Sequence, residues 1–93
     1  MLALDRGTGQ ARWKFTADDE LKPVFCTPTV AGGKVFVGEG LHTDSGCRLF
    51  ALDAATGKPA WPNPFPTASH TEGQPRLANG KLFFTAGDDG LYC

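Results

Sequence analysis

Net charge is almost absent from this sequence: nine Lys plus Arg stand against ten Asp plus Glu, for a formal charge of −1. So even a balance excludes the basic footprint by which nucleic acid or an anionic membrane surface is recognised. Long hydrophobic runs are missing too. The apolar runs are a few residues each, far short of the roughly 20 that span a bilayer, and no charged-then-apolar leader opens the chain. No stretch of helix length carries an amphipathic pattern. Cysteine is scarce, at three residues. A chain of 93 residues is at most one small domain, and one of that size buries only about 60 to 65% of its unfolded surface. The segment is therefore expected to be soluble, with a thin core.

What the sequence has in quantity is punctuation. Twelve Gly and seven Pro interrupt short runs rich in Val, Phe and Leu, a composition that predicts an all-β fold. The punctuation is also periodic. Residues 50–61 read FALDAATGKPAW and residues 2–13 read LALDRGTGQARW, so Asp53, Gly57 and Trp61 repeat Asp5, Gly9 and Trp13 at an offset of 48. A second block, TPTVAGGKVFV from Thr27, returns as QPRLANGKLFF from Gln74 at an offset of 47. Then Arg48-Leu49-Phe50-Ala51 returns as Gly90-Leu91-Tyr92-Cys93 at an offset of 42, after a turn shorter by five residues. A period of about 45 residues holding four short strands predicts blades of a β-propeller, about two of them here.

Naming the strands of a blade A to D places A at about 26–30, B at about 34–39, C at about 48–53 and D at Trp61, a full blade over 26–61. Pro59, Pro62, Pro64 and Pro66 crowd D and its exit, where a missing N–H is tolerated. Residues 1–15 supply C and D of an earlier blade. Residues 73–93 supply A at about 73–77, B at about 81–86 and the start of C at Leu91. In the C to D turn, Gly9 and Gly57 accept a positive φ, and Asp5, Asp53, Thr8 and Thr56 can hydrogen-bond the turn amides. Ala3 and Ala51 leave room for close packing. Trp13 and Trp61 offer flat apolar area to cover a neighbouring blade. Each motif reads as a fastener.

The pattern Ala-x-Asp-x-x-x-Gly-x-x-x-Trp, carried by Ala3, Asp5, Gly9 and Trp13 and again by Ala51, Asp53, Gly57 and Trp61, resembles the tryptophan-docking motif of the pyrroloquinoline-quinone-type (PQQ-like) repeat family. That family includes quinoprotein alcohol and glucose dehydrogenases and non-enzymatic scaffolds, among them a periplasmic lipoprotein that helps assemble outer-membrane barrels. The resemblance implies that each motif Trp stacks on a motif Gly of an adjacent blade. Trp13, whose blade is incomplete, is expected to matter less than Trp61. It implies PQQ and Ca2+ only for enzyme members, whose axial site draws on many blades, a base Asp and often a vicinal Cys-Cys pair. This sequence has no such pair, and family propellers close with six to eight blades. The expectation is thus a piece of a larger propeller, periplasmic or extracytoplasmic by resemblance. It acts as a non-catalytic structural or protein-interaction scaffold with no cofactor of its own. The alternative is a piece of a PQQ-dependent dehydrogenase.

The longest departure from the repeat is GEGLHTDSGCRLF, where Glu39, His42, Asp44 and Cys47 mark a possible interaction loop. Metal ligation by these four lacks a recognised spacing, and a long polar hairpin explains them equally. Asp88 and Asp89 read as solvated turn residues, with Ca2+ binding as the other reading. Ser69, His70 and Glu72 are too close in sequence to read as a triad. Cys93, aligned with Ala51, reads as a buried free thiol. Cys26 and Cys47 could pair if the host is exported. Partners are expected to be the remaining blades or other copies of the chain, besides a possible protein partner. Unfinished sheets at both ends predict self-association, with residues 10–15 of one copy completing another and three or four copies closing a ring of six or eight blades.

Overall fold

The computed structural model describes residues 1–41 and 43–93. Gly and Pro keep its strands short. They are β1 (Leu2–Leu4), β2 (Ala11–Lys14), β3 (Thr29–Ala31), β4 (Lys34–Gly38), β5 (Ser45–Asp53), β6 (Phe65–Ser69), β7 (Arg76–Ala78), β8 (Lys81–Thr85) and β9 (Leu91–Tyr92), with a 3-10 turn, Gly87–Asp89, before β9. All pairings are antiparallel. They form three open sheets in chain order, β1-β2, β3-β4-β5-β6 and β7-β8-β9. The fold is all-β, and its open sheets are consistent with incomplete propeller blades. Among the described residues, no helix is long and apolar enough to cross a membrane.

The middle sheet holds the core because both of its faces are covered. Register places Val35 opposite Leu52 and Val37 opposite Phe50, so these four share one face. There they cluster with Phe15 and Cys26, while Met1, Trp13 and Val24 pack against them. The alternate residues Phe36, Leu49 and Ala51 line the other face and are buried as well. Burial on both faces explains why β4 and β5 read as near-continuous apolar runs rather than alternating ones. Each fully buried Leu or Val contributes about 1.5 to 3 kcal/mol relative to exposure.

Strands A begin about three residues later than expected, at Thr29 and Arg76, and two further placements differ from expectation. The fourth strand of the middle sheet is not at Trp61. The chain stays paired with β5 as far as the Pro59–Leu52 bridge and the Ala60 N–H bond to the Ala51 carbonyl at 2.7 Å. It then leaves the ladder and rejoins it at Phe65 opposite Leu49. Pro62 and Pro64 carry no N–H to donate, so Trp61 to Pro64 bulge out as a bend. The second difference is β5, which begins at Ser45 rather than Arg48. The five extra residues lengthen a hairpin ladder, with Ser45 opposite Ser69 and Cys47 opposite Thr67.

Side-chain and backbone bonds join the sheets. The Cys26 thiol donates to the Gly73 carbonyl at 3.3 Å, and the Thr29 hydroxyl donates to the Pro75 carbonyl. Phe65 of the middle sheet meets Phe84 and Tyr92 of the third edge to face, at 5.7 and 5.2 Å between ring centres.

Candidate functional site

The two repeat turns are built alike, bond for bond. In the first, the Asp5 carboxylate accepts the Gly7 and Thr8 N–H groups at 2.9 Å each, and the Gly9 N–H bonds the Asp5 carbonyl at 2.7 Å. In the second, the Asp53 carboxylate accepts Ala55 and Thr56 at 2.9 and 3.0 Å, and the Gly57 N–H bonds the Asp53 carbonyl at 2.8 Å. Thr8 and Thr56 hydroxyls each accept the N–H two residues on, both at 3.3 Å. Gly9 and Gly57 sit at φ 74° and 75°, the left-handed region that a Cβ disfavours. The Thr8 and Gly7 amides hold the Asp5 carboxyl below its ordinary 3.8. The Thr56 and Ala55 amides do the same for Asp53.

The turns differ in what covers them. The Trp13 ring lies flat against Gly57, so close that a Cβ added there would stand 2.5 Å from Trp13 Cδ2. The Trp13 indole N–H donates to the Ala54 carbonyl at 2.9 Å. The ring is set by β2, where Trp13 is paired with Ala3. At Gly9, by contrast, nothing lies within 4 Å of an added Cβ. Trp61 is partly buried, with Phe36 at 6.0 Å, and stands between two clefts of about 360 Å3 each. One cleft, bounded by Phe15, Phe50 and Pro64 beside Arg48, opens toward the first sheet. The other is apolar and lies against Leu49, Phe65, Phe84 and Tyr92. Trp13 is thus the motif tryptophan seen against a motif glycine, while Trp61 lies beside Phe36.

The candidate loop residues do not form one surface. Glu39 is fully buried. Arg48 grips its carboxylate in a fork, Nε to Oε1 at 2.6 Å and an Nη to Oε2 at 3.1 Å, and the Lys22 N–H adds a bond of 2.9 Å. The guanidinium also lies 4.9 Å from the Phe50 ring centre, and the Glu39 hydrogen bond raises its affinity for the proton. Arg48 was not singled out from sequence, because its meeting with Glu39 follows only from the register of the β4-β5 hairpin. Cys47 is buried as well, and burial, with Glu39 next, pushes its thiol up. Asp44 closes the turn by accepting the Leu41 N–H at 2.7 Å. His42 lies outside the described residues.

Other candidates resolve in the same way. Cys26 and Cys47 are free and buried, while Cys93, just past the edge strand β9, is exposed rather than buried. Asp88 is exposed, but Asp89 is not simply solvated. It accepts the Tyr92 hydroxyl at 2.7 Å and the Ala68 N–H of β6 at 2.8 Å, so it ties the third sheet to the second, and these bonds lower its carboxyl affinity for the proton, Tyr92 foremost. Ser69 Oγ lies 3.1 Å from His70 Nδ1. Glu72, 4.0 Å from His70 Nε2 and 41% exposed, is beyond hydrogen-bond reach and orients no catalytic imidazole. Among the described residues, no group of three or more His, Cys, Asp or Glu is placed to hold a metal ion.

A family profile accounts for the repeat. Residues 1–93 match the PQQ-like repeat family described as outer membrane protein assembly factor BamB. The chain belongs to that family. This PQQ-like chain is 45% identical over 65 residues to the quinohemoprotein alcohol dehydrogenase ADH IIB of Pseudomonas putida, covering 66% of this chain and 9% of that protein. It is 39% identical over 64 residues to the serine/threonine-protein kinase AfsK of Streptomyces griseus, covering 66% of this chain and 7% of the kinase. It thus spans less than a tenth of either relative. No solved structure matches it significantly.

Proposed function

We propose that this PQQ-like segment is a non-catalytic scaffold, extracytoplasmic as part of its host, whose Ala-x-Asp-x-x-x-Gly-x-x-x-Trp motifs dock one sheet on the next. The observation that carries this reading is the Trp13 indole on Gly57 with its N–H on the Ala54 carbonyl. A large flat apolar surface, one directed bond and a glycine with no side chain to lift the ring make a fastener rather than a reaction centre. Similarity to both an alcohol dehydrogenase and a protein kinase supports a repeat that serves hosts of unlike chemistry, since fold alone does not carry activity.

The dehydrogenase relative favours a second reading, a piece of a PQQ-dependent enzyme. The donor set does not fit a quinone with Ca2+. Asp5 and Asp53 are spent on their own turn amides, Glu39 on Arg48 and Lys22, and Asp89 on Tyr92 and Ala68. Among the described residues no group of three or more His, Cys, Asp or Glu is placed to hold a metal ion, and no reaction step is assigned to this segment.

Docking is tested by Gly57→Asn and Trp13→Ala. Asn tolerates a positive φ, so its cost measures the collision with Trp13. Trp13→Ala is expected to cost about 3 kcal/mol, the low end for a large buried aromatic because the ring is only partly covered. Urea midpoints unchanged by both variants would reject docking. Dye reduction with alcohol after incubation with PQQ and Ca2+ would reject the scaffold reading.

A further inference from the structure

The Glu39–Arg48 pair is not something the repeat requires. The equivalents of these residues are Ala86 and Gly90; Ala86 is just as fully buried, and its N–H bonds the Gly90 carbonyl at 2.8 Å as the Glu39 N–H bonds that of Arg48 at 3.2 Å. A hairpin of the same design thus closes without charge. What the pair adds is a hold on the segment that joins the first sheet to the second. The Glu39 carboxylate accepts the Lys22 N–H, and Arg48, forked on that carboxylate, donates an Nη hydrogen to the Glu20 carbonyl at 3.0 Å. Between β2 and this hold the chain runs through three consecutive left-handed residues, Ala17, Asp18 and Asp19, at φ 49°, 57° and 65°. None is a glycine, and a run of this conformation is disfavoured for residues with a Cβ. Within the turn, the Glu20 and Leu21 N–H groups bond the Ala17 and Thr16 carbonyls at 3.1 Å each.

We propose that the Glu39–Arg48 pair is a latch that holds residues 16–22 in this strained turn, giving the joint between the first two sheets a clasped state and a released one. Both latch bonds are charge-assisted and fall on backbone groups, so they grip the segment whatever its side chains. In the released state the turn relaxes out of the left-handed region, and the segment opens as a unit at a lower free energy than global unfolding. Thr16, Ala17, Asp18 and Glu20 form one wall of the cleft beside Arg48 and Phe50, so release widens that cleft. The sheet stays intact, because the third sheet shows that the hairpin needs no pair. The next joint is spared as well. Thr71, on the way from the second sheet to the third, bonds the Glu39 backbone carbonyl through its N–H and its hydroxyl, both at 3.1 Å, whereas the latch acts through the side chain. It also shares no residue with the Trp13 seat on Gly57 and Ala54.

Amide hydrogen exchange of the full 93-residue chain, read residue by residue by NMR, tests the latch. The double variant Glu39→Met, Arg48→Met replaces the pair with apolar side chains of similar length, a change that buried pairs tolerate far better than the loss of one partner. The Glu20, Leu21 and Lys22 amides are expected to exchange about tenfold faster or more, the effect of losing bonds to charged groups. The amides of β4, β5 and Thr71 should keep their wild-type rates. Glu39→Gln, which keeps the size and an acceptor but not the charge, should speed the same three amides by less, and it decides the matter if the double variant does not fold. Ala17→Gly takes the left-handed φ without strain, so it should slow those amides about twofold or more, in the wild-type chain and in the double variant alike. Turn amides unmoved by loss of the pair, or β4 and β5 accelerated in the same proportion, overturn the proposal, since the pair then only supports its own hairpin. Exchange that Ala17→Gly leaves unchanged or speeds also overturns it, because no strain is then held.

Discussion

At the scale of single residues, acidic side chains do the local organising. Asp5 and Asp53 each pin a turn, and both carboxyls hold their protons less readily than an unfolded aspartate because two backbone amides stabilise the anion. A group whose folded pKa is depressed contributes stability above its unfolded pKa and loses it as pH falls through the folded value. The urea midpoint is therefore expected to drop as pH is lowered from about 5 to about 3. The double variant Asp5→Asn, Asp53→Asn, which keeps an acceptor oxygen but no charge, should show a smaller drop; an equal drop would remove these turns from the acid response. Both aspartates were legible in the sequence because their bonds are local. Glu39 was not, since its burial depends on Arg48, nine residues on, and on the Lys22 backbone. Local spacing reports what a residue does for its own turn, and long-range pairing leaves no such mark.

At the scale of elements, identical sequence positions meet unlike surroundings. Leu49 and Leu91 are repeat equivalents, yet Leu49 is fully buried and Leu91 is 71% exposed. Leu49 sits on a central strand between two neighbours, and Leu91 on an edge. Leu49→Ala is expected to cost about 2 to 5 kcal/mol, and Leu91→Ala less than about 0.5 kcal/mol, as read from urea denaturation. Equal costs would contradict the placement of β9 at an edge. The same difference explains why the repeat predicted Cys93 to be buried like Ala51 while the structure exposes it. Periodicity fixes which strand a residue belongs to but says nothing of whether a next layer stands over it. The D strand departs from the repeat for another reason. After Trp61, Pro62 and Pro64 interrupt the ladder until Phe65 rejoins it, a local conflict that the repeat alignment averaged away.

At the scale of the whole molecule, the core lies between the middle sheet and the segments around the first. The middle sheet is covered on both sides, whereas the β1-β2 hairpin exposes Leu2 and Leu4 and the third sheet exposes Leu77 and Leu91. Amide hydrogen exchange should follow that ranking, with β4 and β5 protected longest and β1, β2 and β9 opening first. Uniform protection across the nine strands would contradict it. The all-β architecture and its period were open to reading at this scale because glycine and proline recur with the repeat. The unequal covering of the sheets was not, because it depends on which sheets stand beside which.

The Trp13 indole on Gly57 has a consequence for cooperativity. In a linear array each unit senses only its nearest neighbours, and global unfolding stays all-or-none only where the coupling between units exceeds the instability of each alone. That aromatic seat, with Phe15 on Phe50 and Met1 beside the same core, couples the first sheet to the second. Weakening it should split one melting transition into two before it lowers the second, turning a small protein into a short chain of independent folding units.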